Sequence, residues 1–344
     1  MVDKEQVCFV SEESVVLYRP IIALHLVLPK VFKMRKLLLF SFIGFLICSC
    51  DHIENPYPTQ VNLELDTTLY PGNWSDYENN EWPDFSQNTN TNTNRNVLIE
   101  DFTGHQCVFC PAAAELAHQL HEANPTRVFT ASIHAGPDGI GDFQVVSPPD
   151  YPMDFTTPEG VEIGLYFGQN DGGFGGNPRG TVNRFNNGDI FQSPAQWTSM
   201  VNDQLTANNL KVNMQSELNY FDQTKGAFLH VELDPIDAAV TEKLGITAYL
   251  IEDSLVGDQK MSDNSHNSSY VHRDIHRGNL NNASFGRPVS SNDLIDGKFY
   301  INYSFVVPDQ LDGAYNTENM HVLIYAFNTQ TWEIYQVIKQ DIAP

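Results

Sequence analysis

Beyond residue 207 of this 344-residue chain, several stretches place apolar side chains at every second position. That is the period of a strand with one buried face, and a helix cannot satisfy it. "KVNMQSELNY" alternates through Val212, Met214 and Leu218, "FLHVELDP" through Leu229, Val231 and Leu233, and "KFYINYSFVV" through Phe299, Ile301, Tyr303 and Phe305. "HVLIYAFNTQTWEIYQVIKQ" reads as two strands joined at Asn328 to Thr331. About seven short strands predict an antiparallel β-sandwich over 208–344.

Residues 97–207 follow another pattern. "NVLIEDF" is a short apolar run suited to a buried strand, closed by Gly104. "PAAAELAHQLHEANP" spaces Ala113, Leu116, Ala117 and Leu120 for a helix that stops at Asn124 and Pro125, and "RVFTASIH" is a second strand. "GTVNR" supplies a further short strand and "SPAQWTSMVNDQLTA" a helix capped by Ser193. The first turn of this strand–helix–strand unit reads "GHQCVFCP", residues 104–111. A CxxC in that setting reads as redox-active. Placed at the amino end of the helix and open to solvent, Cys107 would be stabilised as a thiolate nucleophile by unpaired amides and the helix dipole. Cys110, three positions on, would lie shielded behind it and resolve the mixed disulfide.

Which cysteines accompany that pair depends on the amino terminus. "MRKLLLFSFIGFLICSC", from Met34, has the basic start, apolar core and small residues of a secretory signal, too short to span a bilayer. "ICSC" is similar to a bacterial lipobox, which implies cleavage before Cys50 and acylation of that residue, with an ordinary signal peptide as the alternative. Residues 1–33 then read as a start assigned too early, 34–49 as a lipoprotein signal peptide, and 50–96 as a lipidated, disordered tether, because its Asn- and Thr-rich tract offers little to bury. Of five cysteines only Cys107 and Cys110 would remain as thiols, in a compartment where disulfides persist.

Lys and Arg number 19 and Asp and Glu 43; 6 and 4 of these precede residue 51, so the exported part carries a net charge near −26. Such a charge excludes electrostatic binding to nucleic acid or to an anionic membrane surface. Membrane association would run through the lipid anchor alone.

"VLIEDFTGHQCVFC" resembles the thioredoxin active-site segment. The resemblance implies an α/β thioredoxin-like domain over 97–207, a central mixed sheet with flanking helices. It also implies a buried acid six residues before the first cysteine, the position of Asp101, ferrying a proton to or from Cys110. Glu100 is adjacent, and strand register could make it the inward acid instead. A cis proline opposite the CxxC is implied as well, with Pro178 in "GGNPRGTVNRF" as the candidate. The second half resembles immunoglobulin-like sandwiches. The order of lipobox, "EDFTG", CxxCP, then "YVH" and "FGRPV", resembles the Bacteroidetes outer-membrane lipoprotein family named for a twenty-eight-kilodalton antigen. That places the protein in the cell envelope on an outer membrane, on its periplasmic or surface face.

Three functions follow. The favoured one is a lipid-anchored thiol–disulfide oxidoreductase with Cys107, Cys110, Asp101 and Pro178 as catalytic residues and no cofactor. Its partners would be exported protein thiols or disulfides and a redox partner. The alternative is a surface binding protein or adhesin with a structural CxxC, for which His105, Tyr270, His272 and Arg277 are candidate contacts. A metal site is the third, either the two thiolates with His105 or a loop cluster of His266, His272, His276 and Asp274, in which His272 and His276 would share a helical face. Haem attachment in its usual form is excluded, since Pro111 stands where CxxCH needs His.

Overall fold

The computed structural model describes residues 57, 63–86, 90, 92–170, 172–186, 188–280 and 283–342. The expected upstream start at 1–33, the signal peptide at 34–49 and the lipid-attachment residue Cys50 lie outside the described residues. Among those residues no helix is long and apolar enough to cross a membrane.

Helix α1 (Trp74–Asn80) falls inside the segment expected to be a disordered tether, and that expectation is corrected. Tyr77 is fully buried, its hydroxyl 2.6 Å from His230 Nε2 and 3.0 Å from Asn219 Oδ1. Trp74 stacks on Tyr77 with ring centroids 4.8 Å apart, and Tyr77 in turn packs on Phe228 at 4.9 Å. The Asn and Thr content masks aromatic anchors whose burial offsets the entropy of ordering the segment.

β1 (Val97–Phe102), α2 (Cys110–Ala123), β2 (Val128–Ile133), α3 (Pro158–Gln169), β3 (Arg179–Val182) and α4 (Pro194–Ala207) come next. α4 begins as its sequence predicts, with Ser193 and Gln196 forming a capping box and Pro194 at the first position. The remaining strands are β4 (Val212–Phe221), β5 (Gly226–Pro235), β6 (Leu244–Glu252), β7 (Leu255–Lys260), β8 (His266–His272), β9 (Ile275–Asn279), β10 (Arg287–Pro288), β11 (Phe299–Val306), β12 (Met320–Asn328) and β13 (Ile334–Asp341).

The expected division between 97–207 and 208–344 is not drawn by the hydrogen bonds. One mixed sheet runs β13-β12-β6-β9-β2-β1-β3, with β10 added to β6. β9 therefore lies against β2, with Ser132 opposite Ile275 and its N–H donating to Asp274 O at 2.7 Å. β1 and β2 are parallel, and β3 runs antiparallel to β1. A sandwich does form, but not as a free-standing immunoglobulin-like domain. The three-stranded sheet β11-β5-β4 lays Val231, Leu233 and Ile301 against Ile246, Ala248 and Val322 of the large sheet, and the described residues belong to one compact unit. β6 explains the merger. Ile246, Ala248 and Leu250 enter the core under the small sheet, while Tyr249 and Ile251 enter the core on the opposite face.

Two layers position the CxxC. α2 and α4 cover Val97 and Ile99 of β1 with Ala113, Ala117, Trp197 and Val201. On the other face Leu98 and Phe102 meet Ile163 and Phe167 of α3. α3 approaches the loop after β2 so closely that a Cβ on Gly168 would lie 1.8 Å from Pro137 O, which only glycine permits.

Candidate active site

Beyond β1 the chain turns at Gly104, where Cys107 N–H donates to Gly104 O at 3.0 Å. A Cβ on Gly104 would come within 2.5 Å of Phe143 O, and that carbonyl accepts from Gln106 N–H at 3.0 Å. The turn is thereby fastened to the loop that follows β2. α2 starts at Cys110, with Phe109 as cap and Pro111 in the first turn, where a missing N–H costs little. Cys107 and Cys110 are joined in a disulfide, their Cα atoms 5.4 Å apart.

The expected exposure of Cys107 is corrected. The helix begins three residues after it, and both cysteines are only 1% exposed. The β7–β8 hairpin covers them. Gln259 Nε2 donates to Cys107 O at 3.3 Å, and Lys260 N–H donates to His105 O at 2.8 Å. Phe109, by contrast, is 68% exposed at the rim.

The two acids of β1 have opposite surroundings, because neighbours in a strand point to opposite faces. Glu100 receives Arg184 Nε at 2.7 Å and Nη2 at 2.6 Å, Thr181 Oγ1 at 2.7 Å and Tyr249 O–H at 2.9 Å. Burial pushes its carboxyl up, but Arg184 overrides this and holds it below the usual range. Asp101 shares the α2-facing side with Val97 and Ile99, is 1% exposed, and neither of its oxygens has a hydrogen-bond partner among the described residues. Burial alone pushes its carboxyl up to about 7. The register question raised by the sequence is thus answered: Glu100 is neutralised and Asp101 is the free buried acid.

A measurable pH dependence follows. Below the unfolded-state pKa near 4, Asp101 is protonated whether the chain is folded or not, and costs nothing. As pH rises from 4 to 7 the unfolded chain loses the proton while the folded chain keeps it, so stability falls and then levels off above 7. Between pH 4 and pH 8 an Asp101→Ala variant should gain roughly 2–4 kcal/mol relative to the parent protein, since each tenfold change in proton affinity is worth about 1.4 kcal/mol and relaxation of the site offsets part of it. Urea denaturation at both pH values checks this, and parallel pH profiles would refute it.

The Asn177–Pro178 peptide is cis, as is Pro148–Pro149, which the sequence did not flag. Pro178 directly precedes β3, whose Arg179 pairs with Phe102, so it lies at the same end of the sheet as the CxxC turn. Gln144 ties the two together, donating through Nε2 to Thr103 O at 2.7 Å and to Asn177 Oδ1 at 3.3 Å.

Of the candidate binding residues, three gather here. His105 is buried against Phe155 at 5.5 Å between centroids, and His272 of β8 closes on the same ring at 4.3 Å. Tyr270 sits edge-on to His272 at 4.9 Å. With Cys110, Pro111 and His134, Tyr270 and His272 line a recess behind the disulfide. His134, just past β2, escaped sequence reasoning; its only signal was a histidine ending an apolar strand. Arg277 does not join them, since it pairs with Glu252 and donates to Asp309 O at 3.2 Å. The loop metal cluster does not assemble either. His272 and His276 lie on different strands, His266 is 2.6 Å from Asp258 Oδ1, His276 sits between Thr157 and Asn279, and Asp274 accepts from Thr130. Among the described residues no three His, Cys, Asp or Glu side chains are placed to hold a metal ion.

A family model described as outer membrane protein Omp28 matches residues 169–344, just over half of the chain. The match begins at the last residue of α3, so the CxxC precedes it. HBP35 of Porphyromonas gingivalis is similar in structure, with a TM-score of 0.54 and 16% identity over 72% of this chain and 76% of that one; the likeness is one of fold. A domain of the outer membrane lipoprotein Omp28 from Porphyromonas gingivalis, 21% identical, spans 39% of this chain and 90% of its own at a TM-score of 0.28. No curated protein sequence matches the chain.

Proposed function

The chain belongs to the outer membrane protein Omp28 family, and on that premise we propose that it serves the cell envelope as a lipid-anchored thiol–disulfide oxidoreductase acting on exported proteins. The observation that carries the reading is Asp101, a buried carboxyl without hydrogen-bond partners on the face of β1 that the CxxC helix covers. A buried unpaired acid destabilises a fold, and its retention beneath a redox-capable pair is accounted for by proton transfer. On this reading β1, α2, β2, β3 and α4 act as a thioredoxin-like unit. In the reduced protein Cys107 attacks a substrate disulfide, Cys110 displaces the substrate, and Asp101 exchanges the Cys110 proton. Pro178, at the head of β3, shapes the edge along which a polypeptide lies. Cys50 carries the lipid.

The burial of both sulfurs under the β7–β8 hairpin favours a second reading, a surface binding protein in which the disulfide only closes a turn. Titrating the pair against glutathione and dithiothreitol buffers separates the two. A potential between about −120 and −270 mV fits a catalyst, and one below about −300 mV a structural staple.

A further inference from the structure

Among the described residues ten buried side-chain nitrogen or oxygen atoms lack a hydrogen-bond partner, and four of them belong to the disulfide site: both Asp101 oxygens, His105 Nδ1 and His134 Nδ1. Buried polar atoms are ordinarily partnered, so this concentration calls for a chemical account. Hydrogen bonding fixes where the lone pairs point. His105 Nε2 lies 3.1 Å from Val145 O and His272 Nε2 lies 3.3 Å from Asp258 O. A carbonyl only accepts, so each neutral ring carries its proton on Nε2 and leaves Nδ1 basic. The three rings surround Phe155, with His134 6.4 Å from His105 and 5.9 Å from His272 between centroids.

Burial first, then His272 and His105, hold His134 well below the usual imidazole range. Burial draws His272 down to about 4 and lowers His105. While the disulfide is closed, all three are neutral bases at pH 7. The other titratable or charged groups facing the site come from five directions. They are Tyr151 and Asp154 from the loop after β2, Asp258, His266, Tyr270 and Arg273 from the hairpin and its exit, Asp274 from the following turn, and His118 from α2. Asp101 adds its carboxyl from β1, beneath the same helix.

We propose that His105, His134 and His272 are proton acceptors for the Cys107–Cys110 pair, so that opening the disulfide charges one imidazole beside a thiolate. The inference rests on the oxidoreductase reading and deepens it. For a substrate dithiol, one substrate thiolate attacks Cys107 Sγ, the Cys107–Cys110 bond breaks, and its electron pair leaves on Cys110 Sγ, which is protonated by way of Asp101. The second substrate sulfur then attacks the first, and the electron pair of the mixed disulfide leaves on Cys107 Sγ. The substrate is oxidised to a disulfide and the protein gains two electrons. The two substrate protons end on Cys110 and on one imidazole of this cluster, two of whose rings, His134 and His272, line the recess together with Cys110. Without that cation, a thiolate buried this deeply would be held up as a thiol by desolvation.

The test uses the reduced full-length chain and no substrate. Thiolate absorbance and iodoacetamide reactivity, located by mass spectrometry, are followed against pH. Cys107 should be largely thiolate at pH 6, and His134→Gln or His105→Gln should raise its midpoint by at least one pH unit, a tenfold loss of thiolate at fixed pH. Nitrogen-15 histidine resonances of the unsubstituted protein give a reading that no misfolded variant can disturb. At pH 7 one ring should become doubly protonated on reduction and return to neutral on reoxidation. Rings neutral in both states, or superimposable Cys107 profiles in parent and variants, would overturn the proposal. Because neither measurement involves a partner protein, failure to trap substrates would remove the oxidoreductase reading and leave this result standing by itself.

Discussion

Cells carrying Cys110→Ser should accumulate mixed disulfides between Cys107 and exported proteins, and cells carrying Cys107→Ser should accumulate none. The asymmetry comes from the order of attack. Cys107 lies in the turn before α2, and Cys110 is the first residue of the helix, lining the recess behind the pair. With a hydroxyl at 110 nothing displaces the substrate from Cys107, and the covalent complex persists. With a hydroxyl at 107 no complex forms. Partners are separated on non-reducing gels and identified after reduction. Capture by both variants would show that either sulfur can attack, and an empty result from both would leave the structural disulfide as the surviving reading.

The largest expected change in stability lies one residue away from Asp101, at Glu100. Arg184→Met should destabilise the protein by about 3–5 kcal/mol, because it leaves the Glu100 carboxylate buried without its counter-charge. Both side chains are no more than 2% exposed. The Arg184 guanidinium also holds the hydroxyls of Tyr249 at 3.0 Å and Tyr325 at 3.2 Å, so one side chain connects β1 to β6 and β12. Adding Glu100→Gln should recover part of the loss, since the pair is coupled and the two effects do not add. Denaturant titration at pH 7 measures both; a loss below about 1 kcal/mol for the single variant would mean that water or rearrangement satisfies Glu100.

Much of this site is legible in the sequence because it is local. The strand, turn and helix around Cys107 and Cys110 are contiguous, the spacing to Asp101 is six residues, and Ser193 with Pro194 marks the start of α4. What depends on distant pairing is not legible. Choosing Asp101 over Glu100 needs Arg184, and the burial of the cysteines needs Gln259 from a hairpin about 150 residues away. β6 escapes the period-two search because all nine of its residues are buried, as happens when a strand is covered on both faces. The expected boundary near 207 has the same origin. A change of period marks a change in local pattern, but the two patterns meet in one sheet, with β9 beside β2.

The strand order carries an implication for how such a chain can vary over descent. Within the sheet, β1 and β2 stand between β9 on one side and β3 on the other, and both flanking strands belong to the region that matches the family. The strand and helix that present the two sulfurs are therefore no appended module to be gained or shed at a linker. Deleting residues 97–133 would remove the two strands that lie between β9 and β3 and would open edges on both, which invite pairing with other chains. A lineage that gave up the chemistry would be expected to keep the segment as scaffolding and lose only its cysteines, so homologues should differ at positions 107 and 110 far more readily than in the strand that leads to them.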